Sequence, residues 1–222
     1  MSAYPTAVED YVKVIYAHTE WQPEPITPSA LAARLGLKPS SVTEMVKRLA
    51  TLGLVEHRPY GAVTLTADGA ALALRMVRRH RLIETWLVRE HGYSWDEVHD
   101  EAEVLEHAIS DRLLASIDAR LGYPSRDPHG DPIPTAEGAI LMPDAVLLRD
   151  APAPSTVTVA RISDQDPELL RYFDEIGVRL DTPLDVIGRS RFGGGFVIRG
   201  VNGSDLHLGD LALASIWVTA AV

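Results

Sequence analysis

Two histidines and two glutamates recur at helical spacing within one short segment of the chain, from His99 to His107. On a helix, His99, Glu103, Glu106 and His107 fall within an arc of about 100° beside an apolar stripe. Like charges at this spacing repel each other, and a divalent cation would reverse that effect. Since the chain has no Cys, its metal ligands must be nitrogen and oxygen atoms. The segment therefore predicts a metal site.

More residues of metal-ligand type lie on earlier predicted helices. His80 and Glu84 are one helical turn apart, and Asp10 adds a carboxylate on the first helix. A solvated acidic face would explain any one of these side chains by itself. The i,i+3 and i,i+4 spacings of the whole set on two long helices favour a metal site over solvation.

A catalytic role for the metal is not expected. The segment Glu103-x-x-Glu106-His107 has Glu where the H-x-x-E-H zinc peptidase pattern has its first His. The sequence contains no H-E-x-x-H motif, and no pattern in it indicates the substrate cleft that a catalytic metal requires. We therefore expect no enzymatic activity and no small organic substrate.

Composition and charge set the class of protein in which these residues lie. The chain has 222 residues, of which 46% are hydrophobic, as in folded globular proteins. Residues 1–82 hold 10 Lys and Arg against 7 Asp and Glu, whereas the rest hold 11 against 24. This asymmetry favours a mildly basic binding module joined to an acidic one. The sequence has neither a long apolar run nor a signal-peptide pattern, so no membrane association is expected.

The basic part carries the pattern of a winged helix-turn-helix, which binds DNA or a protein partner. Short helices beginning at Pro28 and Pro39 precede two short strands, at Leu54–His57 and Val63–Leu65. Hydroxyls at the start of the second helix would bind phosphate oxygens, and its outer face would meet base edges. The predicted DNA-binding residues are Lys38, Pro39, Ser40, Ser41, Thr43, Glu44, Lys47 and Arg58.

Downstream, the sequence predicts two long helices and then a β-rich region. One helix runs from Thr66 to about His91, and another of about seven turns runs from Ser94 to near Gly122. Beyond a Pro-rich linker, alternating segments predict a small β-barrel of about five strands. A helix at Pro167–Glu175 interrupts these strands.

The chain resembles the diphtheria toxin repressor family of metal-dependent transcriptional repressors. The motifs that carry the resemblance are Glu9-Asp10-Tyr11, Pro39-Ser40-Ser41-Val42-Thr43, Arg79-His80-Arg81-Leu82, Val98-His99-Asp100-Glu101-Ala102 with Glu106-His107, and Gly130-Asp131-Pro132-Ile133-Pro134. The resemblance implies an α+β multidomain fold with a winged helix-turn-helix at 1–70 and a helical dimerisation and metal-binding domain at 71–142. A linker at 143–155 and a C-terminal SH3-like β-barrel at 156–222 would follow. A cytoplasmic homodimer that binds palindromic operator DNA when metal-loaded is also implied.

The resemblance assigns the candidate ligands to two metal sites. Iron-responsive members of the family carry Met and Cys at two ligand positions. This sequence has Asp10 and Glu103 there, and in this it resembles the manganese-responsive members. The implied primary ligands are Asp10, Glu103, Glu106 and His107. The implied ancillary ligands are His80, Glu84 and His99, which Asp164 or Asp166 would complete. Lys13 stands where small manganese regulators have a further Glu, so a close two-metal cluster is not expected.

These observations together predict a Mn²⁺-activated repressor of manganese uptake genes. Mn²⁺ suits a shell of carboxylates and imidazoles without sulfur ligands. The metal would tie the first helix to the helical domain and so hold two recognition helices at operator spacing. One alternative is a Fe²⁺-responsive repressor of iron uptake genes with the same architecture. Another is a winged-helix regulator that senses an organic ligand, in which the acidic cluster is solvated surface.

Overall fold

A computed structural model of the chain describes residues 4–58, 61–189, 195–200 and 203–221. Contacts between Cα atoms divide the chain into two units. The first unit comprises Met1–His80, Leu105–Ser116 and Pro134–Ala139. The second unit comprises Arg81–Val104, Ile117–Ile133 and Ile140–Val222. Each unit contains some of the predicted metal ligands.

The first unit begins with the winged helix-turn-helix that the sequence predicts. Its elements are α1 (Thr6–Glu20), α2 (Pro28–Leu35), α3 (Pro39–Thr51), β1 (Val55–His57) and β2 (Val63–Leu65). The two strands pair antiparallel, with Val55 opposite Leu65. Apolar side chains at helical spacing on α1 and α3, such as Val8, Val12, Val42 and Val46, are fully or almost fully buried in one common core. The N-terminal fold prediction is therefore confirmed.

Local sequence chemistry sets the turn between α2 and α3. The Thr27 hydroxyl caps α2 by accepting a 3.2 Å hydrogen bond from the Ala30 amide. Gly36 ends α2 with φ at +63°, a left-handed conformation that glycine adopts without steric cost. Pro39 then occupies the first turn of α3, where its missing amide proton costs nothing. These residues fix where α2 ends and where α3 begins.

Two helices stand where the sequence predicts one helix of about seven turns. After α4 (Ala67–His91), the chain forms α5 (Val98–Leu105) and α6 (Asp111–Arg120). The Arg79 guanidinium donates to the carbonyls of Glu106 and Ile109, at 3.2 and 3.1 Å, and so binds oxygens that a continuous helix would use. The Ser110 hydroxyl then accepts a hydrogen bond from the Leu113 amide and starts α6. The single-helix prediction is wrong at this break.

The second unit contains an antiparallel sheet in the order β3-β8-β4-β5-β6-β7. Its strands are β3 (Val146–Leu147), β4 (Ser155–Ile162), β5 (Pro183–Arg189), β6 (Phe196–Arg199), β7 (Asp205–Leu208) and β8 (Ile216–Ala220). The sheet has one strand more than predicted, because β3 is only two residues long and carries no readable alternation. Among the described residues β3 and β7 are its edges, so this SH3-like sheet is open rather than a closed barrel.

In the described residues, two α-helices accompany the sheet, α7 (Pro167–Glu175) and the short α8 (Asp210–Leu213), and a 3-10 helix spans Leu148–Asp150. The bounds of α7 agree with those predicted from the sequence. Leu170 and Phe173 of α7 are buried with Val159, Ile162 and Val218 in the core of this region. None of the helices in the described part of the chain has the length and apolar character needed to cross a bilayer.

Candidate metal centres and nucleic-acid interface

Asp10, Glu106 and His107 come together in the first unit. Each of the three offers one ligand atom, and these atoms lie within 4.8 Å of one another. Asp10 is on the second turn of α1, whereas Glu106 and His107 lie in the break between α5 and α6. His107 Nε2 is 2.9 Å from Asp10 Oδ1 and 3.4 Å from Glu106 Oε1. We call these three residues the α1 centre.

Glu106 is the most buried member of the α1 centre, with no solvent exposure. The Lys13 ammonium donates to Glu106 Oε1 at 2.5 Å, and His80 Nδ1 donates to Oε2 at 2.6 Å. A carboxylate removed from water needs such charged or polar partners, because burial alone would disfavour its ionised form. Lys13 and His80 therefore stabilise the ionised form of Glu106 in the metal-free protein.

A second group of ligand-type side chains forms in the second unit. Ligand atoms of Glu84, His99 and Asp164 lie within 4.8 Å of one another, and so do those of Glu84, Asp127 and His129. His99 Nδ1 is 3.5 Å from Glu84 Oε1 and 3.6 Å from Asp164 Oδ2. Glu84 belongs to both groups and is almost completely buried. We call these five residues the Glu84 centre.

Asp127 and His129 are the members of the Glu84 centre that the sequence reasoning missed. His129 is completely buried, and its Nε2–H donates to the Trp95 carbonyl at 2.7 Å. Its Nδ1, 3.8 Å from Glu84 Oε2, makes no hydrogen bond within the described part of the chain. Buried polar atoms without a partner are rare in proteins. A ring nitrogen in this state, facing a carboxylate, is suited to bind a cation.

The pKa values in the Glu84 centre show a local excess of buried negative charge. Burial, together with the neighbouring carboxylates of Asp131 and Glu84, raises the pKa of Asp127 to about 8. Burial would lower the pKa of His129, but the carboxylates of Glu84, Asp127 and Asp164 outweigh it and raise the pKa to about 9. Asp127 and His129 therefore retain their protons at neutral pH, and these protons offset the negative charge of the cluster. A bound divalent ion would supply positive charge in their place.

A glycine positions the loop that carries Asp127 and His129. Gly130 has φ at +93°, and a Cβ at this position would lie 2.2 Å from the Ala160 carbonyl of β4. The Ile162 amide donates to the His129 carbonyl at 2.9 Å, which fastens the loop to β4. Asp127 Oδ1 also accepts from the amides of His129 and Asp131. The motif Asp127-Pro128-His129-Gly130-Asp131 was a readable signal, because it places ligand types beside a turn glycine.

The other predicted ligands make contacts within their own units. His80 belongs to the first unit and bonds to Glu106, whereas the other predicted ancillary ligands belong to the second unit. Glu103 also belongs to the second unit, where its Oε1 is 3.5 Å from His99 Nε2. Asp166 caps α7 by accepting from the Glu168 and Leu169 amides. Of the two aspartates proposed near α7, Asp164 is the one that lies beside His99.

The predicted DNA-binding residues lie on the exposed side of the winged helix-turn-helix. Lys38, Pro39, Ser40, Ser41, Thr43, Glu44 and Lys47 at or on α3 are all exposed, as is Arg58 after β1. Lys38 precedes α3, and its side chain makes no capping hydrogen bond to the first amides of this helix. Lys47 and Glu44 form an exposed 2.8 Å ion pair, and the Thr43 hydroxyl donates to the Pro39 carbonyl.

A winged helix-turn-helix combined with buried clusters of carboxylates and imidazoles is the architecture of a metal-responsive regulator. Family models agree with each part of the chain. The N-terminal DNA-binding domain of iron-dependent repressors matches residues 5–63, and their metal-binding and dimerisation domain matches residues 66–135. The FeoA domain matches residues 146–220.

Known proteins resemble the chain over nearly its whole length. A solved manganese-dependent transcriptional repressor in complex with manganese is 52% identical, with a TM-score of 0.91 over 96% of this chain and 100% of that one. The structure of the manganese regulator SloR is 31% identical, with a TM-score of 0.82 over 96% and 98%. The diphtheria toxin repressor of Corynebacterium glutamicum is 32% identical over 91% of both chains. The chain therefore belongs to the diphtheria toxin repressor family of metalloregulators.

Proposed function

We propose that this protein is a Mn²⁺-activated transcriptional repressor that binds palindromic operators of manganese uptake genes as a homodimer. The observation that carries the proposal is the α1 centre, in which Asp10 of the DNA-binding domain meets Glu106 and His107. Because these donors come from distant parts of the chain, one ion would fasten α1 to the segment between α5 and α6. The cytoplasmic location and the absence of enzymatic activity expected from the sequence belong to this proposal.

The donor set supports manganese as the activating ion. Both centres consist of carboxylates and imidazoles, which suit Mn²⁺, and the chain has no Cys to offer a thiolate. The solved relatives with 52% and 31% identity are described as manganese-dependent or manganese regulators. His129 Nδ1, which has no hydrogen-bond partner in the part of the chain that the structure describes, and the raised pKa of Asp127 fit a cation at the Glu84 centre as well. We therefore assign an activating site to the α1 centre and an ancillary site to the Glu84 centre.

The residues of the chain would convert metal binding into DNA binding through α1. This helix contacts α2 and β2 within the winged helix-turn-helix, so its position bears on that of the recognition helix α3. Asp10, Glu106 and His107 would hold the ion, and its positive charge would offset the repulsion between the two carboxylates. Metal binding must favour the DNA-competent arrangement by a few kcal/mol to act as a switch. In a dimer the two α3 helices would then enter the major groove about 34 Å apart.

Two further predicted ligands belong to the proposal although they are members of neither the α1 centre nor the Glu84 centre. We propose Glu103 as a further ligand of the activating ion and His80 as a further ligand of the ancillary ion, as the family resemblance implies. Asp166 is the weaker of the two α7 candidates, because its carboxylate already caps that helix. Substituting each residue separately would test these assignments.

The test is DNA binding measured by fluorescence anisotropy on fragments upstream of manganese transporter genes. Anaerobic titrations with Mn²⁺, Fe²⁺, Zn²⁺ or excess chelator would be compared on the same fragment. We expect binding that requires metal and that appears at lower free Mn²⁺ than free Fe²⁺. Activation at lower free Fe²⁺ would instead support the iron-responsive alternative. Binding that is unchanged by chelator would contradict the metal mechanism and favour a regulator that senses an organic ligand.

A further inference from the structure

Glu9 holds the imidazole of His107 from the side opposite to the metal ligands. Its Oε2 lies 2.8 Å from His107 Nδ1, while the other ring nitrogen, Nε2, faces Asp10 and Glu106. The ring is therefore clamped between two consecutive residues of α1. The motif Glu9-Asp10-Tyr11 contains Glu9, but this residue was not predicted as a site residue, because it resembles an ordinary acidic helix start.

The burial of Glu9 argues against a role as a solvated helix-start carboxylate. The residue is 3% exposed, and its Oε1 has no hydrogen-bond partner within the described part of the chain. Leaving a carboxylate oxygen buried without a partner is costly. Among residues 4–58, 61–189, 195–200 and 203–221, His107 is the one hydrogen-bond partner of this carboxylate. The buried carboxylate of Glu9 therefore lowers the stability of the folded protein, and its hydrogen bond orients His107.

We propose that Glu9 is the positioning residue of the α1 centre, and that it fixes His107 in the tautomer that binds metal through Nε2. This inference rests on the proposed function. A carboxylate can only accept, so the proton of the hydrogen bond belongs to Nδ1. Nε2 lies 2.9 Å from Asp10 Oδ1, and a metal ion would take the place of any proton held there. With Nδ1–H committed to Glu9, the lone pair of the neutral ring is then on Nε2, directed at the same point as Asp10 and Glu106. Metal-binding histidines commonly donate their other ring N–H to a carboxylate in this manner.

The same hydrogen bond joins α1 to the segment between α5 and α6 before any metal binds. His107 is thus held at the α1 centre by a contact that the ion does not need to create. His107 is therefore already ordered when the metal binds. Such preorganisation raises metal affinity, because the ion does not have to order this ligand. Removal of Glu9 should therefore weaken metal binding without removing any ligand.

The test uses the full chain with ¹⁵N-labelled histidines, because the tautomer can be read without metal. At alkaline pH, ¹⁵N shifts of His107, assigned by comparison with a His107→Gln variant, should show a protonated Nδ1 in the wild type. Glu9→Leu should shift the population toward Nε2–H and weaken Mn²⁺ binding about 10–100-fold by calorimetry. Glu9→Gln should keep the Nδ1–H tautomer and lose much less affinity, since the amide oxygen still accepts. Glu24→Gln, at an exposed position, is the matched control for the lost charge.

The outcomes distinguish this inference from the proposed function. A Glu9→Leu protein that keeps the Nδ1–H tautomer and wild-type Mn²⁺ affinity would overturn the inference, as would a Glu9→Gln protein impaired as much as Glu9→Leu. If Glu9→Leu does not fold, Glu9→Met removes the acceptor with an unbranched chain and answers the same question. A wild-type protein with the Nδ1–H tautomer but no Mn²⁺-dependent DNA binding would support the role of Glu9 and contradict the proposed function.

Discussion

Lys13 and Glu106, 93 residues apart in the chain, form an ion pair whose Nζ–Oε1 distance is 2.5 Å. Both side chains are buried, at 11% and 0% exposure. Glu106 is also a proposed metal ligand, so an ammonium of the protein and an external cation would share one carboxylate. Lys13 therefore stabilises the metal-free protein and repels the ion that Glu106 is proposed to bind.

The first prediction concerns this pair. Lys13→Met should destabilise the metal-free protein by about 3 kcal/mol, because the charge of a buried partner loses its compensation. The same variant should bind Mn²⁺ more tightly, since one positive charge next to the ion is gone. Urea unfolding with chelator and calorimetric Mn²⁺ titration measure the two effects.

Lys47→Met is the control: it removes the exposed ion pair with Glu44 and should change the free energy of unfolding by less than about 1 kcal/mol. Weaker Mn²⁺ binding by Lys13→Met would contradict the repulsion argument.

The second prediction is that Mn²⁺ binding at the Glu84 centre releases protons. The pKa values of Asp127 and His129 are raised to about 8 and about 9, so the metal-free cluster holds protons that an ion must displace. Affinity should therefore rise from about pH 7 to about pH 9 and level off above the higher pKa. Calorimetry in buffers of different ionisation enthalpy counts the released protons. His129→Gln should reduce that number, whereas the exposed His91→Gln should leave it unchanged.

The metal-free protein should also lose stability as the pH rises through the same range. Both groups have folded-state pKa values above their ordinary ones of 3.8 and 6.5, so the folded chain binds more protons than the unfolded chain. Stability therefore decreases with rising pH until both groups are deprotonated in the folded state. Added Mn²⁺ should reverse the trend in thermal unfolding. A chelated protein whose stability increases between about pH 7 and pH 9 would refute this argument.

A third prediction concerns the ligands of the activating ion. Asp10→Ala and Glu103→Ala should each raise the Mn²⁺ concentration needed for operator binding by at least about tenfold, while the protein stays folded. Anisotropy measures the DNA binding, and circular dichroism verifies the fold. Asp68→Ala removes an exposed carboxylate from the first turn of α4 and serves as the control. Full Mn²⁺ dependence in both ligand variants would contradict the proposed activating site.

The fourth prediction concerns the loop that holds His129. Gly130→Ala should destabilise the protein by about 3 kcal/mol or more, because the new Cβ would overlap the Ala160 carbonyl in a strained backbone conformation. Gly177→Ala is the matched control. Gly177 has φ at +75° but open space around it, so this change should cost only about 1 kcal/mol. Equal losses in the two variants, measured by urea unfolding, would show that the close approach to β4 is unimportant.

A fifth prediction tests the DNA-binding face. Lys38→Ala should weaken binding to all DNA sequences to a similar extent and reduce the salt dependence of binding by about one counterion. This is expected because Lys38 lies exposed before α3, where phosphates would approach. Arg149→Ala removes an exposed positive charge from the second unit and should leave the salt dependence unchanged. An unaltered slope for Lys38→Ala would exclude it as a phosphate contact.

The sequence alone determined the features that depend on local pattern. The winged helix-turn-helix was predicted from apolar periodicity, turn glycines and N1 prolines, and a helix was predicted at Pro167–Glu175, the bounds of α7. Glu106 and His107 were selected from the helical spacing of ligand-type residues, and the family resemblance assigned Asp10 to the same site. The winged helix-turn-helix and α7 are confirmed, because each depends on residues within a turn or two of one another, whereas the three ligands stay a prediction.

Tertiary structure alone decided which of these residues meet. The break between α5 and α6 depends on Arg79 of α4, which lies 27 and 30 residues before the two carbonyls that it binds. His129 reaches Glu84 because Gly130 allows a loop to pack against β4, and Lys13 reaches Glu106 across 93 residues. None of these contacts leaves a periodic trace in the sequence. Burial gives them their energetic weight, since a charge removed from water must find a partner wherever in the chain one is available.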